Sequence, residues 1–369
     1  MNDYSVMRCD PLVAAIDDYY LICIPVRRPV LLSISVGERT YFCHSNGIRI
    51  SDAKVQKFKI PMVELDREKA YRVTYEVVTN RTNRVCEKEE AVTFEYAFRP
   101  VTKTEGINIC HISDVHGLKS LAIRAGNRFA KEADLLILNG DISSKSMSTE
   151  DILLTYDIAS ALTHGEIPCI VTRGNHDLRG RFAEKLADLL PTDEGRTYFT
   201  VKLGVMWFMV LDCGEDKVDE HREYSGTVCC HEFRLEETAF IEDVVKRASF
   251  EYLCDKYKYR IIVSHVPFNN DNTDECKGER PFNIEHGLYC HWCDLIREKI
   301  KPMFLLAGHV HTSEVFKSGS DFDAKNIGCD TVVSGVPVKK NGRGVNYFCC
   351  NVKLFDDKFD VTIGDGNFW

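Results

Sequence analysis

The feature that most constrains the fold is a change in hydrophobic period near residue 100. Before it, Val30, Leu32, Ile34 and Val36 alternate with more polar neighbours. Tyr71, Val73, Tyr75 and Val77 do the same, as do Val92, Phe94, Tyr96 and Phe98. A period of two puts one face of each segment inward and predicts half-buried strands. Gly37-Glu38 and Asn46-Gly47 supply turns between them, and no helical period of useful length interrupts. Residues 1–100 are therefore expected to form an all-β sandwich. Residues 99–106, with Pro100 and Gly106, read as a linker.

After residue 106 the pattern changes. Short apolar runs at Ile107–Ile112, Leu135–Leu138, Ile170–Thr172, Val205–Leu211, Ile261–Val263 and Met303–Leu306 predict buried strands. Amphipathic helical periods lie between them, for example Ile152, Tyr156, Ala159 and Leu162, or Phe182, Leu186 and Leu189. Strand patterns return at Thr331–Val333, Tyr347–Leu354 and Phe359–Ile363. This alternation predicts an α/β domain over residues 107–369. A chain of 369 residues has room for both parts.

The net charge of −9 argues against a broad nucleic-acid-binding face, which needs clustered Lys and Arg. It does not exclude an anionic substrate, because bound cations invert the local field. The apolar runs are too short to span a membrane. No basic segment followed by an apolar run opens the sequence, so no secretory signal is expected. The 16 cysteines are scattered, often within apolar runs, and read as reduced core residues of a cytoplasmic protein.

Chemistry concentrates at the carboxyl ends of five of the predicted strands, where α/β sheets build their sites. Ile107–Ile112 runs into Asp114 and His116, and Leu135–Leu138 into Gly140 and Asp141. Ile170–Thr172 runs into Arg173, Gly174, Asn175, His176 and Asp177. Ile261–Val263 is followed by His265, and Met303–Leu306 by Gly308, His309 and His311. Each of Gly140, Gly174 and Gly308 precedes a ligand-type residue, where a missing Cβ permits close approach. Carboxylate, imidazole and amide donors suit Mn, Fe or Zn. Single histidines elsewhere, such as His111, read as structural.

Asp-x-His, Gly-Asp, Gly-Asn-His-Asp, a lone His and Gly-His-x-His, in that order, resemble the calcineurin-like metallophosphoesterase superfamily. The resemblance covers residues 107–311. It implies a four-layer α/β/β/α sandwich, here with an immunoglobulin- or fibronectin-like first domain. It further implies a first metal held by Asp114, His116, Asp141 and His311. A second would be held by Asp141, Asn175, His265 and His309, with Asp141 shared. Two such ions ~3.5–4 Å apart would bridge a hydroxide that attacks phosphorus in line. His176 would be the general acid, oriented by Asp177. The sequence departs from the purple acid phosphatase branch, which carries Asp-x-Gly and a tyrosine ligand where His116 and Ser144 stand. A coloured iron–tyrosinate centre is therefore not expected.

Arg179 and Arg173 flank the central motif and are candidates for phosphate binding. His221 and Tyr224, in the polar stretch after Leu211, are candidates for the rim. Cys290 and Cys293 have zinc-like spacing, and Cys276 and His286 would be needed to complete such a site. The expected activity is hydrolysis of a small phosphoester, with phosphodiesters favoured slightly over monoesters. A non-catalytic scaffold would be expected to have lost ligands, and none is missing from the motifs.

Overall fold

The structure is a computed structural model and describes residues 4–271, 284–339 and 345–366. The period-two segments form strands Val30–Val36, Ala70–Arg81 and Val92–Ala97. With Arg39–Phe42 and Cys86–Lys88 they make a five-stranded antiparallel sheet. The alternation has the expected consequence: Val30, Leu32, Ile34, Val36, Tyr71, Val73, Tyr75 and Val77 are all buried. Towards the sheet edge it fades, since Val92 is exposed while Tyr96 and Phe98 are buried. Gly37-Glu38 closes the hairpin in which Val36 pairs with Arg39. Asn46 and Gly47 both take positive φ between paired Ser45 and Ile48, the geometry that turn sequence favours. One short helix, Met62–Glu68, was not signalled by periodicity.

A nine-stranded sheet runs through the middle of the molecule. Its centre is parallel: Ile107–Ile112, Leu135–Asn139 and Cys169–Thr172. Three strands from the first part of the chain continue it. Leu12–Ile16 lies parallel to Cys169–Thr172, with Ala14 opposite Cys169, and Tyr19–Pro25 and Val55–Pro61 follow. The expected boundary between residues 1–100 and 107–369 thus divides the sequence without dividing the sheet. Strand period reveals which face is buried but not which edge is paired, so a pairing this remote could not be read from it.

A second, six-stranded sheet contains Phe199–Leu203, Met206–Leu211, Tyr259–Ser264, Phe304–Ala307, Glu314–Phe316 and Asp330–Val333. Its alternation locates the layers. Phe208, Val210, Ile261, Val263, Phe304 and Leu306 join the core shared with the nine-stranded sheet. Trp207, Met209, Leu211, Ile262 and Leu305 face the other way, into a second core with Ile241, Val244 and Trp292. Those last three belong to helices Cys230–Lys246 and His286–Leu295. Helices Lys119–Ala130 and Thr149–Thr163 pack on the far face of the nine-stranded sheet. The order is helix, sheet, sheet, helix, as expected.

Thr149–Thr163 starts where Ser148 and Asp151 form a capping box, each side chain meeting the other's backbone N–H. The helix expected around Phe182, Leu186 and Leu189 is broken into a 3-10 turn, Ala183–Lys185, and a single turn, Leu186–Leu189. All fifteen described cysteines are free. Cys293 is buried in a helix core and Cys276 lies outside the described residues, so a zinc site there gains no support. No helix among the described residues is long and apolar enough to cross a membrane.

Candidate metal centre

The five strand ends converge between the two sheets. The nine-stranded sheet delivers Asp114, His116, Asp141 and Asn175, and the six-stranded sheet delivers His265, His309 and His311. Asp114 Oδ1 lies 3.3 Å from His311 Nε2 and 3.9 Å from His116 Nε2. Asp141 Oδ2 lies 3.3 Å from His265 Nε2 and 3.7 Å from His116 Nε2. Asn175 Oδ1 and His309 Nδ1 are 2.9 Å apart. Two of the donor groups, Asp114–His116–His311 and Asp141–His265–His309, each bring three ligand atoms close enough together to hold an ion. A third, His116–Asp141–His176, places His176 close enough to offer a ligand as well.

The donors fit cations better than they fit each other. Asp114 Oδ1 and His265 Nε2 are buried and make no hydrogen bond, although they lie 3.9 Å apart. Buried polar atoms are rarely left so, and a cation held at each would satisfy both. Their other atoms are fully engaged. Asp114 Oδ2 accepts from the His309 N–H and the Ser113 hydroxyl, and His265 Nδ1 faces the Asn139 carbonyl at 2.7 Å. The first-named atoms are therefore the ones presented to an ion.

Electrostatics agree. Burial alone would raise the Asp141 carboxyl, but the charges of His265, His176 and His116 hold it well below the usual carboxylate range. Burial lowers His265, and the Asp141 and Asp114 carboxylates outweigh it, lifting the imidazole to about 10. Burial pulls His309 down to about 4. A pocket of anions stabilising an adjacent imidazolium is the local field that a divalent ion would replace.

The glycines are needed for close packing. A Cβ on Gly140 would lie 2.7 Å from the Gly174 Cα and the His265 ring. One on Gly174 would overlap Asp141 Oδ1, and one on Gly308 would overlap Ser113 Oγ and come within 2.5 Å of Asp114 Oδ2. Gly335, which no motif singled out, packs its Cα against the Ser113 backbone at φ 104°. The Tyr347 hydroxyl, also unforeseen, braces the same strand end by donating to the Ser113 carbonyl.

The remaining candidates divide. His176 stands beside the ligands, its ring 4.8 Å from that of His116. Asp177 does not touch it. The Asp177 carboxylate accepts from the backbone N–H groups of Gly174 (2.8 Å) and Asp141 (3.1 Å), so it fixes the loop rather than the imidazole. Burial and the neighbouring Asp141 charge push its pKa up to about 7. The His176 ring is held instead by the Ser144 carbonyl at Nδ1 (3.1 Å) and by Arg179 Nη1 at Nε2 (3.1 Å). Arg179 is thus at the site. Its other nitrogens form a two-pronged pair with Glu215, at 2.9 and 3.1 Å. Arg173 is committed elsewhere, 2.7 Å from Asp212 and over the Phe233 ring. Tyr224 is buried behind Arg179 and gives its hydroxyl to Glu215, while His221 rests against the Tyr224 ring. Glu215 and Asp216 complete the site from a stretch whose polar density was the only signal for them.

A family model described as calcineurin-like phosphoesterase matches residues 107–313. No curated protein matches the chain significantly. Among solved structures, the chain is similar to the purple acid phosphatase PPD1 from yellow lupin (Lupinus luteus) seeds. The TM-score is 0.59 and the identity 11%, over 96% of this chain and 72% of that one. It is also similar to PhoD, with a TM-score of 0.56 and 13% identity, over 99% of this chain and 90% of that one. These identities carry the fold alone. With more than half of its length matched by the family model and the motif residues gathered at one site, the chain belongs to the calcineurin-like phosphoesterase family.

Proposed function

We propose that the protein is a dinuclear-metal-dependent hydrolase of phosphoric esters, with a lean towards diesters. The observation that supports this is the pair of buried atoms without a hydrogen bond, Asp114 Oδ1 and His265 Nε2, set among five further ligand-type residues. Asp114, His116, Asp141 and His311 would hold one ion, and Asp141, Asn175, His265 and His309 the other. Two cations of Mn, Fe or Zn supply Lewis acidity and an activated water when bound.

The chain's own residues do the rest. Asp177 and the glycines keep the Asp141 and Asn175 loops in register. His176 donates Nδ1–H to the Ser144 carbonyl, which aims Nε2 outward. In our reading Arg179 shifts its Nη1 contact from His176 to a substrate phosphoryl oxygen. Released from Arg179, His176 Nε2 would take up a proton from solvent and pass it to the leaving oxygen. The diester preference follows from charge. Arg179 is already neutralised by Glu215 and approached by Asp216, so little cationic capacity is left for the second charge of a monoester. An intracellular site of action, where thiols stay reduced, belongs to the same reading and suits the free cysteines.

The test is parallel hydrolysis of nitrophenyl phosphate and bis-nitrophenyl phosphate by Mn²⁺-loaded protein, with Asp141→Asn as blank. Faster diester turnover is expected. Faster monoester turnover would make it a phosphomonoesterase, two bound metals without turnover of either would point to a narrow substrate, and inactivity without bound metal would favour a scaffold. His176→Ala should slow turnover by roughly 10²–10⁴-fold with both metals retained. Loss of a metal would make His176 a ligand instead.

A further inference from the structure

The loop after strand Met206–Leu211 is held far more firmly than a substrate rim requires. Arg234, buried in helix Cys230–Lys246, donates Nε to the Cys213 carbonyl at 2.9 Å and Nη2 to the Glu215 carbonyl at 2.5 Å. The Gly214 N–H is tied to Asp212 Oδ1 at 2.9 Å. The Glu215 side chain is clamped by Arg179 and Tyr224. What this rigid frame presents to the site is Asp216, a side chain only 11% exposed, with Oδ2 3.6 Å from His309 Nε2. Its other oxygen is held by Lys217 at 3.1 Å and approached by Arg179 at 3.5 Å.

Each ring nitrogen of His309 faces a polar group. Nδ1 lies 2.9 Å from Asn175 Oδ1, inside the donor set, and Nε2 faces Asp216. A carboxylate on the outer nitrogen favours the tautomer that carries its proton there, which leaves the inner lone pair for an ion. It also fixes the ring plane. We propose that Asp216 is the positioning residue of the second metal site, acting through His309. The inference rests on the dinuclear reading above and assigns a role to a residue outside every motif.

The experiment is Mn²⁺ titration of chelator-stripped protein, following free Mn²⁺ by electron paramagnetic resonance, for wild type, Asp216→Asn, Asp216→Glu and Glu223→Gln. Glu223 sits on the same loop and pairs with Lys217, which also holds Asp216, so it controls for loss of a loop carboxylate that does not face His309. Wild type should bind two equivalents. Fewer than two would overturn the dinuclear reading itself. Asp216→Asn should keep the first equivalent and bind the second roughly 10–100-fold more weakly. Asp216→Glu should recover part of that loss, and Glu223→Gln should match wild type. Unchanged binding of both equivalents in Asp216→Asn overturns the assignment. So does an equal loss in Glu223→Gln. If Asp216→Asn fails to fold, Asp216→Glu decides, since a weakened second equivalent beside an unchanged first supports the role and unchanged binding of both refutes it.

Discussion

The five-stranded sheet and the strand-end loops of the metal centre use their residues in opposite ways. In the sheet, backbone conformation is ordinary, and left-handed non-glycine residues occur at turns and caps such as Asn46 and Lys69. At the centre, Asp114, His116, Asp141, His309 and His311 all take positive φ, between 46° and 71°. That region costs an L-residue roughly 1–3 kcal/mol, and it persists only where the surroundings impose it. Asn46 sits in a turn that welcomes it. These five candidate ligand residues are instead held by packed glycines, by backbone hydrogen bonds such as His116 N–H to the Asp141 carbonyl, and by side chains such as Asp177. One region spends its sequence on stability and the other on geometry.

Breaking the geometry should therefore have the larger functional effect. Gly308→Ala would force a methyl into Ser113 Oγ and Asp114 Oδ2. We expect loss of bound metal and at least roughly 10³-fold lower turnover, checked by metal analysis and diester hydrolysis. Retained metal content would show that the loop can yield.

Breaking the packing should do the reverse. Ile22, fully buried in strand Tyr19–Pro25, should cost about 2–5 kcal/mol when replaced by Ala, measured by urea denaturation. Turnover well below the new melting point should stay within about twofold of wild type. A large loss of activity in the folded variant would mean that the added strands tune the site.

Metal removal sharpens the contrast further. With each ion at about 1,000 times its dissociation constant, the metal-free protein should be less stable by about 4 kcal/mol per site, about 8 kcal/mol for two, read as a lower melting temperature. An unchanged melting temperature would show that the strained loops are held by the protein alone.

The smallest effect concerns pH. Burial and the Asp212 charge raise the Glu237 carboxyl well above its usual range, and its Oε2 has no hydrogen-bond partner. The folded state then binds the proton more tightly than the unfolded one, so stability falls as pH rises above about 4.3. Glu237→Gln should flatten that decline. Denaturation midpoints at pH 5 and pH 7 would check it, and an equal decline in the variant would place its origin elsewhere.

Much of this was legible because it is local. The inward face of Val30–Val36 follows from alternation, and the convergence of Asp114, Asp141, Asn175, His265 and His309 follows from their places after strands. What was misjudged depended on partners remote in sequence. Asp177 was expected to serve His176 and instead serves the backbone of Asp141, while Arg173 turns to Asp212.

The sequence by itself determined the α/β alternation and the clustering of metal-capable residues after strands, because hydrophobic period and donor chemistry act over a few residues. The four layers were implied by the family resemblance. Only the tertiary structure decided that Leu12–Ile16 would extend the central sheet and that Tyr347, Gly335 and Asp216 would brace the site. A strand edge pairs with any compatible edge, and a carboxylate or hydroxyl with any suitable partner. The choice among them is made by packing across the whole chain.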